Sequence, residues 1–146
     1  MSFATERSFL AKYFQDNWNE STQGKIAWDN IPFNMPKDLF IVFQIVNLSG
    51  GQRSLGGEKK LERHYSEVQV DVYVPQNLGT HVARTTSDYI ASLFRRKAFH
   101  TSDNDLLQFQ TPIIRSLAPN ETRAANIEDI KYRLMVRCPF YRDAYI

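Results

Sequence analysis

One cysteine, Cys138, in 146 residues leaves no internal disulfide and no cysteine-based zinc cluster. It fits a chain made in a reducing cytosol. Apolar runs are short, and none reaches the roughly 18 residues a membrane span needs. The segment Met1–Trp18 carries Glu6, Arg7, Lys12 and Asp16, so it does not read as a signal-peptide core. Charge of one sign is also scarce. A net charge of +2 is too mild to argue for nucleic acid by itself, because dedicated binders concentrate far more positive charge. Aromatic residues, by contrast, are plentiful at 13%. With 42% hydrophobic and 23% charged residues the composition is that of a soluble globular protein, which excludes disordered and collagen-like classes. The length suits one domain with a sizeable core.

Ser2 is placed to cap a first helix, along which Phe3, Leu10, Tyr13, Phe14, Asn17 and Trp18 follow seven-, three- and four-residue steps on one face. Gln23-Gly24 ends that region, and Lys25–Trp28 reads as a short strand entering the Asn30-Ile31-Pro32 turn. Leu39–Val46 is apolar on both faces apart from Gln44. Such a strand is covered on both sides, or its second face meets another chain. Val68, Val70, Val72 and Val74 then alternate with Gln69, Asp71 and Tyr73, the pattern of a strand with one buried face, and Pro75 stops it.

Gly79 turns the chain and Thr80 is a natural cap for a second helix running to Lys97, with Val82, Thr86, Tyr89, Ile90, Leu93 and Phe94 on one face. Leu106–Phe109 and Ile113–Leu117 are short strand candidates separated by Pro112, flanked by polar loops at His100–Asp105 and Ala118–Asn126. Ile130, Tyr132, Leu134, Val136, Cys138 and Phe140 alternate with Lys131, Arg133, Met135 and Arg137, a second half-buried strand with a basic outer face. The expected fold is a single α+β domain over 1–146. Its mixed or antiparallel sheet contains both half-buried strands, and two main helices pack on it.

Asn47–Leu61 differs in kind: four glycines (Gly50, Gly51, Gly56, Gly57), with Gln52, Arg53, Lys59 and Lys60, predict a flexible basic loop of functional length. Gly51-x4-Gly56 has the spacing of a phosphate-binding loop. However, Gly57-Glu58 stand where Lys and Ser/Thr would grip phosphate and magnesium, and strand pattern follows where a helix is needed. His64, His81 and His100 form no pair at metal-ligand spacing. Cys138 alternates with core residues and reads as a small apolar group, not a nucleophile. Glu128, Asp129 and Lys131, with Asp71 as a second magnesium ligand, would suit a nuclease, but Asp71 lacks the preceding Pro and acidic-x-Lys is common by chance. No active site and no cofactor are expected. Arg95-Arg96-Lys97 close the second helix where positive charge favours the helix end, which makes them a solvated cap or a contact patch.

One ordered set of markers goes further. Trp28, Asn30, Phe33, Pro36, Leu55-Gly56-Gly57, Arg63, the Val68–Pro75 strand, Gly79, Ile90 and Phe94, closed by Cys138-Pro-Phe-Tyr-Arg-Asp143, resemble the tail terminator (tail completion) proteins of long-tailed bacteriophages. Tyr65-Ser66 departs from the expected glycine, and Asp103–Asn126 matches nothing in the family pattern. The resemblance implies a structural protein without turnover. It would form a homohexameric ring on the head-proximal end of the tail tube, stop polymerisation, and meet the tube protein and the neck or head completion protein. The protein would then reside in the virion's tail-neck region, after assembly in the host cytoplasm, with no membrane and no specific nucleic acid as partner. The candidate partner contacts are Gln52, Arg53, Lys59, Lys60, Arg95, Arg96 and Lys97. The alternatives are another head–tail joining protein, or a small nucleic-acid-binding or nuclease domain using the same cations.

Overall fold

Alternating valines need a sheet with one wet and one dry face, and the computed structural model supplies it. It describes residues 2–29, 31–32, 36, 38–52, 61–75, 79–101, 105–117 and 131–145. Along the described chain run helix α1 (Phe3–Asp16), a single turn α2 (Glu20–Gln23), strands β1 (Lys25–Trp28), β2 (Phe40–Gln52) and β3 (Leu61–Pro75), helix α3 (Gly79–Phe94), and strands β4 (Ala98–His100), β5 (Leu106–Phe109), β6 (Ile113–Leu117) and β7 (Lys131–Tyr145). All strands join one mixed sheet in the order β1-β2-β3-β7-β5-β4, with β6 also on β7. Only β1 with β2 is parallel; every other pair is antiparallel. The fold is the expected α+β domain.

The three long strands form the sheet's centre, with Val70 between Phe43 and Val136 in register. β5 and β6 behave as one strand broken at Pro112. Both pair with β7, β5 along Phe140–Asp143 and β6 along Arg133–Arg137. Proline has no N–H for the ladder, so the break falls there.

Helices α1 and α3 cover one face. Phe14 of α1 packs on Phe43 at 5.1 Å and Phe94 at 6.2 Å, and Phe94 of α3 continues to Phe109 at 5.0 Å and thence to Phe140 at 4.7 Å. This aromatic chain runs through the core with Val68, Val70, Val72, Val74, Leu134, Val136 and Cys138 beneath it, all buried. Ser2 caps α1 as expected, accepting from the Thr5 N–H at 3.2 Å. Gly24 ends α2 at φ 110, where a side chain is strained and a Cβ would lie 2.8 Å from the Leu39 carbonyl oxygen.

Several expectations change. The strand expected to end at Val46 continues to Gln52, and its partner, expected over Val68–Pro75, begins at Leu61. Asn47–Gln52 and Leu61 are thus paired hairpin, and of the expected loop only 53–60 is left, outside the described residues. At Gly50 a Cβ would lie 2.4 Å from the ring of the opposing His64, so the close approach favours glycine, whereas Gly51 has open space beside it. Helix α3 starts at Gly79, so Thr80 lies within its first turn, and it ends at Phe94. Arg96 enters the left-handed region at φ 54 and its N–H turns to the Gln110 carbonyl, which reverses the chain into β4, a strand the polar sequence concealed. The buried stripe of α3 is Ala83, Ser87, Ile90, Ala91 and Phe94, with Leu93 at its border. Val82 and Tyr89 lie outside it, because small residues let the helix approach the sheet on the other side of Ile90.

Candidate assembly surface

Helices cover the face of the sheet carrying Ile41, Phe43, Val70 and Val136; among the described residues none covers the other. That face carries Phe40, which is 3% exposed, and half-buried Val42, Gln44 and Val46 of β2, so the second face of the two-sided apolar strand carries no helix among the described residues. Across β3 and β7 the same face displays Arg63, Tyr65, Glu67, Gln69, Asp71 and Tyr73, then Arg133, Met135, Arg137, Tyr141 and Asp143.

Part of the basic outer face expected of β7 is neutralised across the ladder. Arg137 grips Glu67 through Nε and Nη2, the latter at 2.9 Å, and the Gln69 amide also donates to Glu67. Gln44 donates to Gln69 at 3.0 Å, so the polar chain reaches β2. Burial alone would raise the Glu67 carboxyl, but the Arg137 and Gln69 hydrogen bonds outweigh it and hold the group below its ordinary range. Arg133 lies over the Tyr73 ring at 5.7 Å, and Tyr73 stacks on Phe40 at 4.8 Å. Asp71, the proposed magnesium ligand, is raised by burial, with Arg133 opposing the shift. It belongs to this ladder. Glu128 and Asp129 lie outside the described residues, as does the side chain of Lys131. Among the described residues no three His, Cys, Asp or Glu side chains gather as a metal site.

Cys138 is buried on the helix face. Burial pushes its thiol up to about 12, helped by the nearby Glu67 charge and opposed by Arg95. A thiolate is needed for nucleophilic attack, and this environment opposes one.

The candidate contact residues within the described chain fall in two places. Gln52 is the last residue of β2 and pairs with Glu62. Arg53, Lys59 and Lys60 lie outside the described residues. Arg95, Arg96 and Lys97 are exposed at the reversal from α3 to β4, with the Lys97 carbonyl bonded to the Phe109 N–H. Phe109 is level with Phe140 on β7, whereas the hairpin end at Leu61 is level with Tyr145. Five strand positions, roughly 17 Å, separate the level of Leu61 from that of Phe109 along β7.

Pattern reading missed the buried ion pair under the hairpin. Arg142 on β7 meets Glu6 on α1, Nε to Oε1 at 3.3 Å, with side chains 4% and 1% exposed. Glu6 lies on the Phe3, Leu10, Phe14 stripe at steps of three and four, a signal legible in the sequence but masked by the expectation that Glu is solvated. Strand β7 runs past Phe140 to Tyr145, which brings Arg142 there.

The model of a family described as phage tail terminator protein matches residues 7–135. The chain belongs to that family. This is a structural family of the phage tail, not an enzyme family, and it makes the protein a tail-related virion component. A search of curated proteins finds no match. One solved structure covers 100% of this chain and 98% of its own at a TM-score of 0.68 and 17% identity, a likeness of fold alone. No helix among the described residues is long and apolar enough to cross a membrane.

Proposed function

We propose that this tail terminator caps the head-proximal end of the tail tube as a ring, most simply a homohexamer, stops tube polymerisation and presents a surface to the neck. The family match over 7–135 carries the reading. The sheet face that no helix among the described residues covers supports it, since a head-to-tail ring needs two different patches per subunit. The tube protein and the neck or head completion protein are the proposed partners. Gln52, Arg53, Lys59 and Lys60 of the 47–61 segment and Arg95-Arg96-Lys97 at the α3–β4 turn are proposed as contacts. Each would meet acidic protein surface, where rim charges steer encounter more than they add affinity.

The test is negative-stain microscopy of the purified protein mixed with unfinished tail tubes. Rings at one end of each tube, and tubes of fixed length when the protein is present during assembly, are expected. Tubes that keep growing with uncapped ends would sink the reading. Another head–tail joining role predicts binding to finished, already capped tails only.

A further inference from the structure

Each border of the sheet is only half covered. At one border β1 pairs with β2 across Phe40–Phe43, and from Gln44 to Gln52 the outer edge of β2 has no strand beside it among the described residues. At the other border β4 covers β5, while the outer edge of β6, Ile113–Leu117, is likewise unpaired. Isolated edges in folded proteins are ordinarily guarded by lysine, proline or inward charge, because open N–H and C=O groups recruit other strands. Gln44–Gln52 contains no charged residue and no proline. Leu48 at its centre is 56% exposed, and Ile113 and Ile114 on β6 are 50% and 39% exposed. The bulge at Leu48 bends the edge without ending it, since pairing with β3 resumes at Ser49.

We propose that the free edge of β2 (Gln44–Gln52) pairs with the free edge of β6 (Ile113–Leu117) of the next copy of this chain, so that the subunits' sheets join edge to edge. This rests on the ring reading above and names the contact that would build the ring. The topology gives the pairing its direction. β6 is antiparallel to β7, β7 to β3 and β3 to β2, so β6 runs antiparallel to β2, and a neighbour in the same orientation presents an antiparallel strand.

The two edges differ, so the contact is heterologous: every added copy leaves one free β2 edge and one free β6 edge until the chain closes on itself. A β2–β2 contact would stop at two copies. The free stretches also lie diagonally. Arg115 is level with Met135 on β7, whereas Asn47 reaches Phe140 through Ser66, an offset of roughly 17 Å along the strands. A constant stagger at every joint is what tilted strands need to close around an axis.

The experiment places cysteines at the centres of the two edges, Leu48→Cys and Arg115→Cys, both exposed, in a chain whose native Cys138 is buried. A short bis-maleimide is added to the full-length protein in the assembled state that microscopy identifies. The double variant is expected to give a ladder of cross-linked multimers, and each single variant only monomer. In parallel, Leu48→Lys, a charge at the edge centre, is expected to keep the native circular dichroism and melting temperature while losing assembly and tube capping.

Rings that form but leave the double variant uncross-linked would overturn the edge pairing and leave the ring reading standing. Dimers from Leu48→Cys alone would replace it with an isologous contact. Leu48→Lys rings that cap tubes normally would also overturn it. A protein that stays monomeric both free and on tubes would overturn the edge pairing and the ring reading together.

Discussion

Arg63 and Asp143, 80 residues apart in sequence, lie opposite each other on β3 and β7 and meet fork to fork, Nε to Oδ1 at 2.7 Å and Nη2 to Oδ2 at 2.8 Å. The same guanidinium lies over the Tyr141 ring at 4.0 Å. The pair clamps the two long strands near the hairpin end, where Gly50 and Gly51 supply no side chains. A planar fork matching a carboxylate and stacking on a ring needs arginine, because a lysine ammonium reproduces only the charge.

Replacing Arg63 with Ala should therefore cost about 1–3 kcal/mol, and replacing it with Lys should recover less than half of that. Denaturant unfolding of the three proteins checks this. A lysine variant as stable as the parent would show that charge alone suffices.

The Glu6–Arg142 pair is buried, so removing one partner strands the other. Arg142→Met should cost about 3–5 kcal/mol, while Glu6→Gln with Arg142→Met should regain a large part of it. Burial already raises the Glu6 carboxyl, with Arg142 and then His64 opposing. For an acid raised in the folded state, the cost is absent below its unfolded value and grows as the pH rises through the folded one. The Arg142→Met deficit should thus be smaller in acid than at neutral pH. Melting temperatures across that range test the sign.

Glu67 behaves in the opposite sense. Its carboxyl is lowered in the fold, so its contribution is full above the ordinary glutamate range and is lost as the pH falls through the folded value. Glu67→Gln should cost about 1–2 kcal/mol at neutral pH, discounted because Arg137 is about one-third exposed, and progressively less as the carboxyl of the parent protonates in acid. Parallel stability curves for parent and variant should converge in acid. Curves that stay a constant distance apart would refute the assignment.

Helix α3 offers a contrast along one element. Ile90 is fully buried and Val82 is 37% exposed, though both fit the same apolar face in sequence. Ile90→Ala should cost roughly 2–5 kcal/mol and Val82→Ala under about 1 kcal/mol, measured by urea unfolding.

Local pattern determined much of this protein. The strict alternation of Val68–Val74 and of Leu134–Cys138 sets which face of each strand is dry, because side chains alternate in a strand whatever its neighbours. Ser2 as a cap, and the separation of Leu106–Phe109 from Ile113–Leu117 at Pro112, follow from backbone chemistry at single residues. The ordered markers from Trp28 to Asp143 were enough to indicate the family. What pattern does not contain is partnership. Polar Asn47–Gln52 and Leu61–Ser66 become strand only because each satisfies the other's backbone. Arg133 and Arg137, a basic stripe in sequence, become members of a compensated ladder once β7 lies beside β3. Glu6 is buried only because Arg142 arrives from the other end of the chain. The edges of β2 and β6 that have no partner strand among the described residues are likewise a property of strand order. Which hydrogen-bonding groups remain unsatisfied is decided by what stands beside them, and tertiary structure alone settles that.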